Sequence, residues 1–262
     1  MHTNASETAK ARLLGNPREP LLFADWERVV FLHFRIAPDV LRPHIPSAFQ
    51  LEQLDDNAWV SIVALTMRRF RAAHRGLMAV LARGLPGQQF LNFRTYVRAG
   101  NESGAYFLHG WLSRPWAVPW PSGIYDFPYT FADMQYEASP GHVCGRVIAS
   151  EGEFAFRASP AEGDGAHAPS QFLLERYAGF FVGAGQPRVF HAWHPPWLQV
   201  DARAEIMDTT LVINKFPWFR EARFAGAHYA QGFKDVWLGR LHRLDEARSK
   251  PRRVLSAFFD MP

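Results

Sequence analysis

The chain has 262 residues, 48% of them hydrophobic, enough to bury a substantial core in one large domain, the simpler reading than two small ones. No run of about 18 apolar residues occurs and the first twenty residues lack an apolar leader segment, so neither a membrane-spanning helix nor a secretory signal is expected and the reading is a cytoplasmic protein. With 29 Lys+Arg against 25 Asp+Glu, the high isoelectric point reflects arginine usage and not a basic coat, and a nucleic-acid partner is not implied.

Residues 1–20 are polar and aperiodic and read as an N-terminal arm or short helix, with the fold proper spanning 21–262. VVFLHFRIAP (29–38) alternates as a strand, sending Val30, Leu32, Phe34 and Ile36 to one face and Val29, Phe31, His33 and Arg35 to the other. The second face turns from apolar to polar partway along, which fits either a face emerging into water or a cavity wall that needs a cation. APDVLRPHIPSAF reads as a short helix and AWVSIVALTMRRF (58–70) as a central strand. Residues 71–88, arginines around a small apolar patch, read as a cover over a cavity. Contact with a membrane surface or nucleic acid through RRFRAAHR (68–75) is the competing idea.

QFLNFRTYVRAG and AYFLHGWLS flank a GNESG turn as an antiparallel hairpin, and Asn92, Arg94, Tyr96 and Arg98 share one face of its first strand. A Pro- and Trp-rich stretch leads to further short strands (HVCGRVIAS and EFAFRAS). APSQFLLERY then reads as a short capped helix, YAGFFVG and PRVFHAWHPPW as a hairpin, and LQVDARAEI and FKDVWLGRLHRL as the last strands. About ten strands with short helical inserts indicate a β-dominated α+β fold, curled or closed so that few edges are exposed.

Chemistry is harder to read. GxSxG, GxGxxG, Walker and HExxH patterns are all missing. The single Cys144 sits in a strand-like run and reads as an inert thiol, and His191 and His194 at i, i+3 on a strand would point to opposite faces, the wrong geometry for a shared metal. Neither a metal nor a cofactor is expected. Only four of the 29 basic residues are lysines (10, 215, 234 and 250), so amines able to attack a carbonyl are scarce, whereas arginine suits carboxylates.

The runs LHFRIAPDVLRPHIPSAFQLE, AWVSIVALTMRRFR, LNFRTYV, FPYTFADM, FLLERYAGFF and HAWHPPWLQV together resemble the YqjF-like family of bacterial proteins, which is grouped with the acetoacetate decarboxylase-like superfamily. The resemblance covers roughly residues 20–245 and implies an antiparallel cone- or barrel-like sheet enclosing a small-molecule cavity. It also implies that Arg35 matches the arginine that meets a substrate carboxylate in the decarboxylases. Their Gly-Phe-Pro-Lys segment, whose lysine forms the Schiff base, corresponds here to Asp126-Phe127-Pro128-Tyr129. A tyrosine cannot form an imine, so acetoacetate decarboxylation by that route is not expected.

The reading that follows is a cavity protein for a small anionic molecule, acting on a carboxylate or β-dicarbonyl compound by lyase, hydratase or cyclase chemistry without a covalent imine. Arg35, Tyr129 and Glu175 are the catalytic candidates, and Arg35, His33, Asn92, Arg94 and Tyr177 the ligand-binding ones. The alternative is a non-catalytic binder of an apolar, weakly acidic ligand. Integral membrane association is not expected, and assembly into a homo-oligomer is left open.

Overall fold

Strand β1 (Leu22–Ile36) frames the molecule because its two faces are buried against different partners. Val30, Leu32, Phe34 and Ile36 join one apolar cluster, and Val29 and Phe31 another, as period-two alternation requires in a strand covered on both sides. The structure is a computed structural model, and it describes residues 5–74, 84–114, 127–139, 141–161 and 169–245.

The remaining strands are β2 (Gln50–Leu51), β3 (Gln53–Leu54), β4 (Asn57–Ala72), β5 (Gln88–Ala99), β6 (Glu102–Leu112), β7 (Tyr129–Phe131), β8 (Asp133–Ser139), β9 (His142–Ala149), β10 (Gly152–Pro160), β11 (Ala178–Gly183), β12 (Gln186–Trp193), β13 (Gln199–Asp208), β14 (Arg223–Leu238) and β15 (His242–Arg243). The α-helices are short: α1 (Ala5–Leu14), α2 (Pro38–Leu41), α3 (Ser170–Leu174) and α4 (Thr210–Lys215). None among the described residues is long and apolar enough to cross a membrane.

The strands run in the order β12-β11-β6-β5-β4-β1-β14, and β14 then meets β12 again through Ala192↔Leu238 and Trp193↔Trp237. That contact closes the ring. The pairing is antiparallel except where β6 lies parallel to β11 and to β7, so the sheet is mixed and not wholly antiparallel as the hairpin spacing suggests. Beyond β14 the sheet continues as β13-β10-β9-β8. This wing packs Tyr136, Val143, Val147, Phe154 and Phe156 in the same cluster as the outward residues of β1, β4 and β5. The barrel is therefore lined on the inside and covered on much of the outside.

Helix α1 is held at one end of the barrel: Leu13 is fully buried, and the Ser6 hydroxyl donates to the His194 carbonyl oxygen at 2.7 Å. Residues 75–83 of the 71–88 cover and residues 115–126 of the Pro- and Trp-rich stretch lie outside the described residues. Strand β14 is longer than its sequence signal, since RFAGAHYAQG, rich in Ala and Gly, forms its first half.

Parallel contact between β6 and β11 depends on a missing side chain. A Cβ on Gly104 would stand 2.4 Å from the Ala178 carbonyl oxygen and 2.6 Å from Phe180 Cε2, and a backbone oxygen in a closed barrel has little room to retreat. Gly104→Ala should lower stability by about 1–3 kcal/mol, read as a drop in thermal midpoint; a midpoint at the wild-type value would show that the ring tolerates a wider β6–β11 spacing.

Candidate functional site

The barrel encloses a cavity of about 140 Å³, a size that admits roughly one aromatic ring or a short branched acid. Its walls are mostly apolar, with Val29, Phe31, Val63, Leu65 and Phe90 projecting from β1, β4 and β5. Polar groups interrupt this lining at few places, the composition expected of a small-molecule site. They include Gln88, Asn92, Arg94, Tyr129, Arg176, Tyr177 and His194.

Arg94 occupies the inward face of β5, two residues from Asn92, where the β5–β6 register shifts between Phe93 and Arg94. One guanidinium nitrogen donates to the Leu173 carbonyl oxygen at 3.2 Å, and the guanidinium carbon lies 5.6 Å from the Phe31 ring centre and 5.8 Å from that of Tyr96. Among the described residues, its Nε is buried with no hydrogen-bond partner and no carboxylate pairs with it. The Trp26 indole N–H and the Gln88 amide oxygen are also buried without partners, and both residues line the cavity. Such groups cost about 1–3 kcal/mol each when left unsatisfied, so three in one cavity lining mark a place where a polar ligand atom is at home.

Tyr129 reaches the same space from β7. Gly110 makes room for it, since a Cβ there would stand 2.0 Å from the ring, and Phe127 stacks on it with centroids 5.1 Å apart. Its hydroxyl donates to Asn92 Oδ1 at 3.0 Å, and Asn92 is itself part of the cavity lining. Burial raises the Tyr129 pKa well above that of an ordinary phenol, so the group is a proton and hydrogen-bond donor and not a base at neutral pH.

Other polar side chains are committed to the framework. Arg176 bonds Glu52 at 2.5 Å and the Phe172 carbonyl oxygen at 2.6 Å, with its side chain only 6% exposed. The same Glu52 carboxylate also takes Arg98 and Ser103. Glu175 accepts the Tyr177 hydroxyl at 2.5 Å and the Trp197 backbone N–H at 2.9 Å, an arrangement that pins the α3–β11 corner to the segment after β12. Glu175 does not line the cavity, whereas Tyr177 does, with its phenol pKa raised by burial and then by the Glu175 hydrogen bond. His194 donates from Nδ1 to the Pro195 carbonyl oxygen at 2.7 Å. Burial pushes its pKa down to about 4, so it is neutral, with Nε2 left as an acceptor.

Of the residues expected from the sequence, Asn92, Arg94, Tyr129 and Tyr177 come together here. Arg35 does not: it is exposed, near the end of β1, in a surface groove with Arg220 and Arg223. Alternation keeps it on the face of Val29, Phe31 and His33, but it stands near the end of β1, opposite Trp59 and Arg223, where that face is exposed at the rim. His33 is fully buried below Phe31 and does not touch the cavity. Sequence reasoning missed Trp26, Gln88, Arg176 and His194, which carry no motif; the HPPW turn that brings His194 inward is the one local signal. His191, on the opposite side, instead bonds Glu102 at 3.0 Å, and among the described residues no cluster fit for a metal occurs.

Comparison with known proteins agrees with this architecture. The chain is 29% identical over 195 residues to the uncharacterized protein YqjF of Bacillus subtilis (strain 168), covering 71% of this chain and 78% of that one. Its fold is that of acetoacetate decarboxylase from Legionella pneumophila, with a TM-score of 0.60 at 13% identity over 85% of this chain and 86% of the other. The enduracididine biosynthesis enzyme MppR complexed with pyruvate aligns with a TM-score of 0.59 at 14% identity, over 85% and 90% of the two chains. An acetoacetate decarboxylase-like enzyme from Sphingomonas wittichii RW1 aligns with a TM-score of 0.56 at 14% identity, over 86% and 94%. A family model described as an uncharacterized conserved protein matches residues 24–234, most of the chain, and the protein belongs to this family, DUF2071, on an acetoacetate decarboxylase-like fold.

Proposed function

We propose that the barrel cavity binds a small organic acid with an apolar body, and that Tyr129 and Asn92 donate hydrogen bonds to oxyanion or enolate character on it, in a lyase, hydratase or cyclase step. The observation that carries this reading is Arg94, a cation on an apolar cavity wall with a buried, unpartnered Nε and no carboxylate beside it among the described residues. Arg94 takes the role that the resemblance assigned to Arg35. A guanidinium presents a planar fork that matches a carboxylate, and the surrounding rings hold the apolar part of the ligand and keep water from screening the charge.

Tyr129 serves as the acid. With its pKa raised it keeps its proton, and a ligand oxygen that displaces Asn92 Oδ1 as acceptor would receive a hydrogen bond that strengthens as negative charge builds on that oxygen. His194 Nε2 supplies a neutral acceptor in the same lining. Among the described residues no lysine lines the cavity, and Lys215 is engaged with Glu151 at 3.1 Å, which supports chemistry without an imine. A non-catalytic binder would use the same arginine and rings, and what separates the two readings is turnover that depends on the Tyr129 hydroxyl.

Three outcomes are expected. Benzoate or butanoate should raise the thermal midpoint and bind measurably by calorimetry, and Arg94→Gln should weaken binding at least tenfold, about 1.5–3 kcal/mol for a hydrogen bond to a charged group, with Arg35→Gln unchanged. Equal effects from the two substitutions would remove Arg94 from its assigned role. Across a panel of β-keto acids, Tyr129→Phe should keep affinity within a few fold and reduce turnover of any substrate about a hundredfold or more; a wild-type protein that binds such acids and converts none is a binding protein. Borohydride added during incubation with those acids should leave the protein mass unchanged, and a lysine adduct would restore imine chemistry.

A further inference from the structure

Below the cavity the barrel interior becomes polar again, in a layer the ligand site does not use. Tyr96 Oη lies 2.6 Å from Ser61 Oγ, Ser61 Oγ 2.7 Å from His33 Nδ1, and His33 Nε2 2.9 Å from His228 Nδ1. His228 Nε2 is 3.3 Å from Asp201 Oδ1, on a side chain 24% exposed to solvent. One group each from β5, β4, β1 and β14 thus forms an unbroken chain that ends at a carboxylate of β13. Apolar side chains would fill this layer at lower cost in desolvation, so the hydrogen-bonded chain calls for an explanation beyond packing.

Its hydrogens follow from elementary chemistry. A carboxylate only accepts, so His228 donates Nε2–H to Asp201 and keeps Nδ1 as an acceptor. His33 then donates Nε2–H to His228, and its own Nδ1 accepts the Ser61 hydroxyl, whose oxygen accepts the Tyr96 hydroxyl. Rotating those two hydroxyls turns Ser61 Oγ into an acceptor facing His33 Nδ1. A second proton then fits on His33 without setting one N–H against another.

The groups that act on His33 are His228 from β14, Arg94 and Tyr96 from β5, and Ser61 from β4, with Asp201 reaching it through His228. Arg94 sits above: Phe31 lies 5.6 Å from its guanidinium carbon and stacks on His33 with centroids 6.2 Å apart. Ser61 is also the cross-strand partner of Arg94. Burial, then His228, then the positive charge of Arg94 hold the His33 pKa well below its ordinary value.

We propose that His33 is a one-proton store coupled to the cavity: an anion that neutralises Arg94 lets His33 take up a proton from solvent, reaching the layer at its Asp201 end. This rests on the reading of Arg94 as the anion site. The proton comes from water or buffer, no bond between heavy atoms changes, and no electrons are exchanged. Because binding takes up a proton, affinity for an anion rises as pH falls through the window in which His33 titrates.

Two measurements test the coupling. In the ligand-free protein, imidazole NMR should show the His33 titration midpoint at higher pH in Arg94→Gln than in wild type, and an unchanged midpoint overturns the proposal. Calorimetry of benzoate binding in buffers of different ionisation enthalpy should show net proton uptake beyond benzoate's own protonation, at a pH inside the His33 titration range fixed by NMR, with affinity changing by at most about tenfold per pH unit; zero such uptake across that range also overturns it. His33→Asn should abolish the uptake while binding persists, and if that variant does not fold, the wild-type His33 resonance followed with and without benzoate gives the same answer. Should benzoate fail to bind, the anion-site reading is what fails, and the NMR comparison still decides the coupling.

Discussion

The β12–β14 contact is the constraint on which the rest depends. Without Ala192↔Leu238 and Trp193↔Trp237, the last residues of β12 and β14 would have no neighbour on one side, and the inward faces of β1, β4 and β5 would lie on an open sheet. Closure removes those edges and converts one face of each strand into an interior. An interior surface is limited in what it can hold, because every polar atom placed there loses water and must find another partner. The polar side chains of the barrel divide by how they meet that demand.

Arginine and carboxylate pairing shows the division. Glu52 collects Arg176, Arg98 and Ser103, and Asp25 collects Arg71 at 2.7 Å together with Arg69 and the Asp235 backbone N–H. The Asp25 carboxylate is lowered in pKa; its desolvation, which raises it, is outweighed by those hydrogen bonds. These clusters bind strand ends and corners to one another. Arg94 is the contrasting case, since it is anchored through a single carbonyl oxygen and packed on two aromatic faces, which position the cation without neutralising it. A cation held in this way remains available to a negative group that arrives from outside.

Much of the architecture was legible in the sequence. Alternation in VVFLHFRIAP identified both faces of β1, and β-branched and aromatic runs located β4, β5, β6 and β9 to β13, because side-chain period follows directly from backbone geometry. The first half of β14 was not legible: RFAGAHYAQG offers small residues where a strand signal needs bulk, and its neighbours supply the packing instead. Arg35 shows a different limit. Its face was read correctly, but whether a face at a given residue is cavity wall or outer rim depends on where the barrel ends, which is a property of strand stagger and not of local pattern. Arg94 and Asn92 were legible as a shared polar face on β5, whereas Gln88, Arg176 and His194 reach the cavity from a strand end and loop corners that no periodicity predicts.

Tyr129 links the fold to its chemistry. A tyrosine on this wall supplies a hydrogen-bond donor and no amine nucleophile. Gly110 and Phe127 hold the ring so that its hydroxyl meets Asn92 within the cavity lining, and burial makes ionisation of that hydroxyl unfavourable. A neutral donor beside a fixed cation favours a ligand that is negative, or becomes negative, at one oxygen, and it does so without forming a covalent bond. The same pair would stabilise an enolate formed from a β-dicarbonyl acid, with Arg94 on the carboxylate and Tyr129 on the developing oxyanion. On the proposed reading, Arg94 and Tyr129 together recognise an anion, and the described cavity residues include no lysine to open a covalent route.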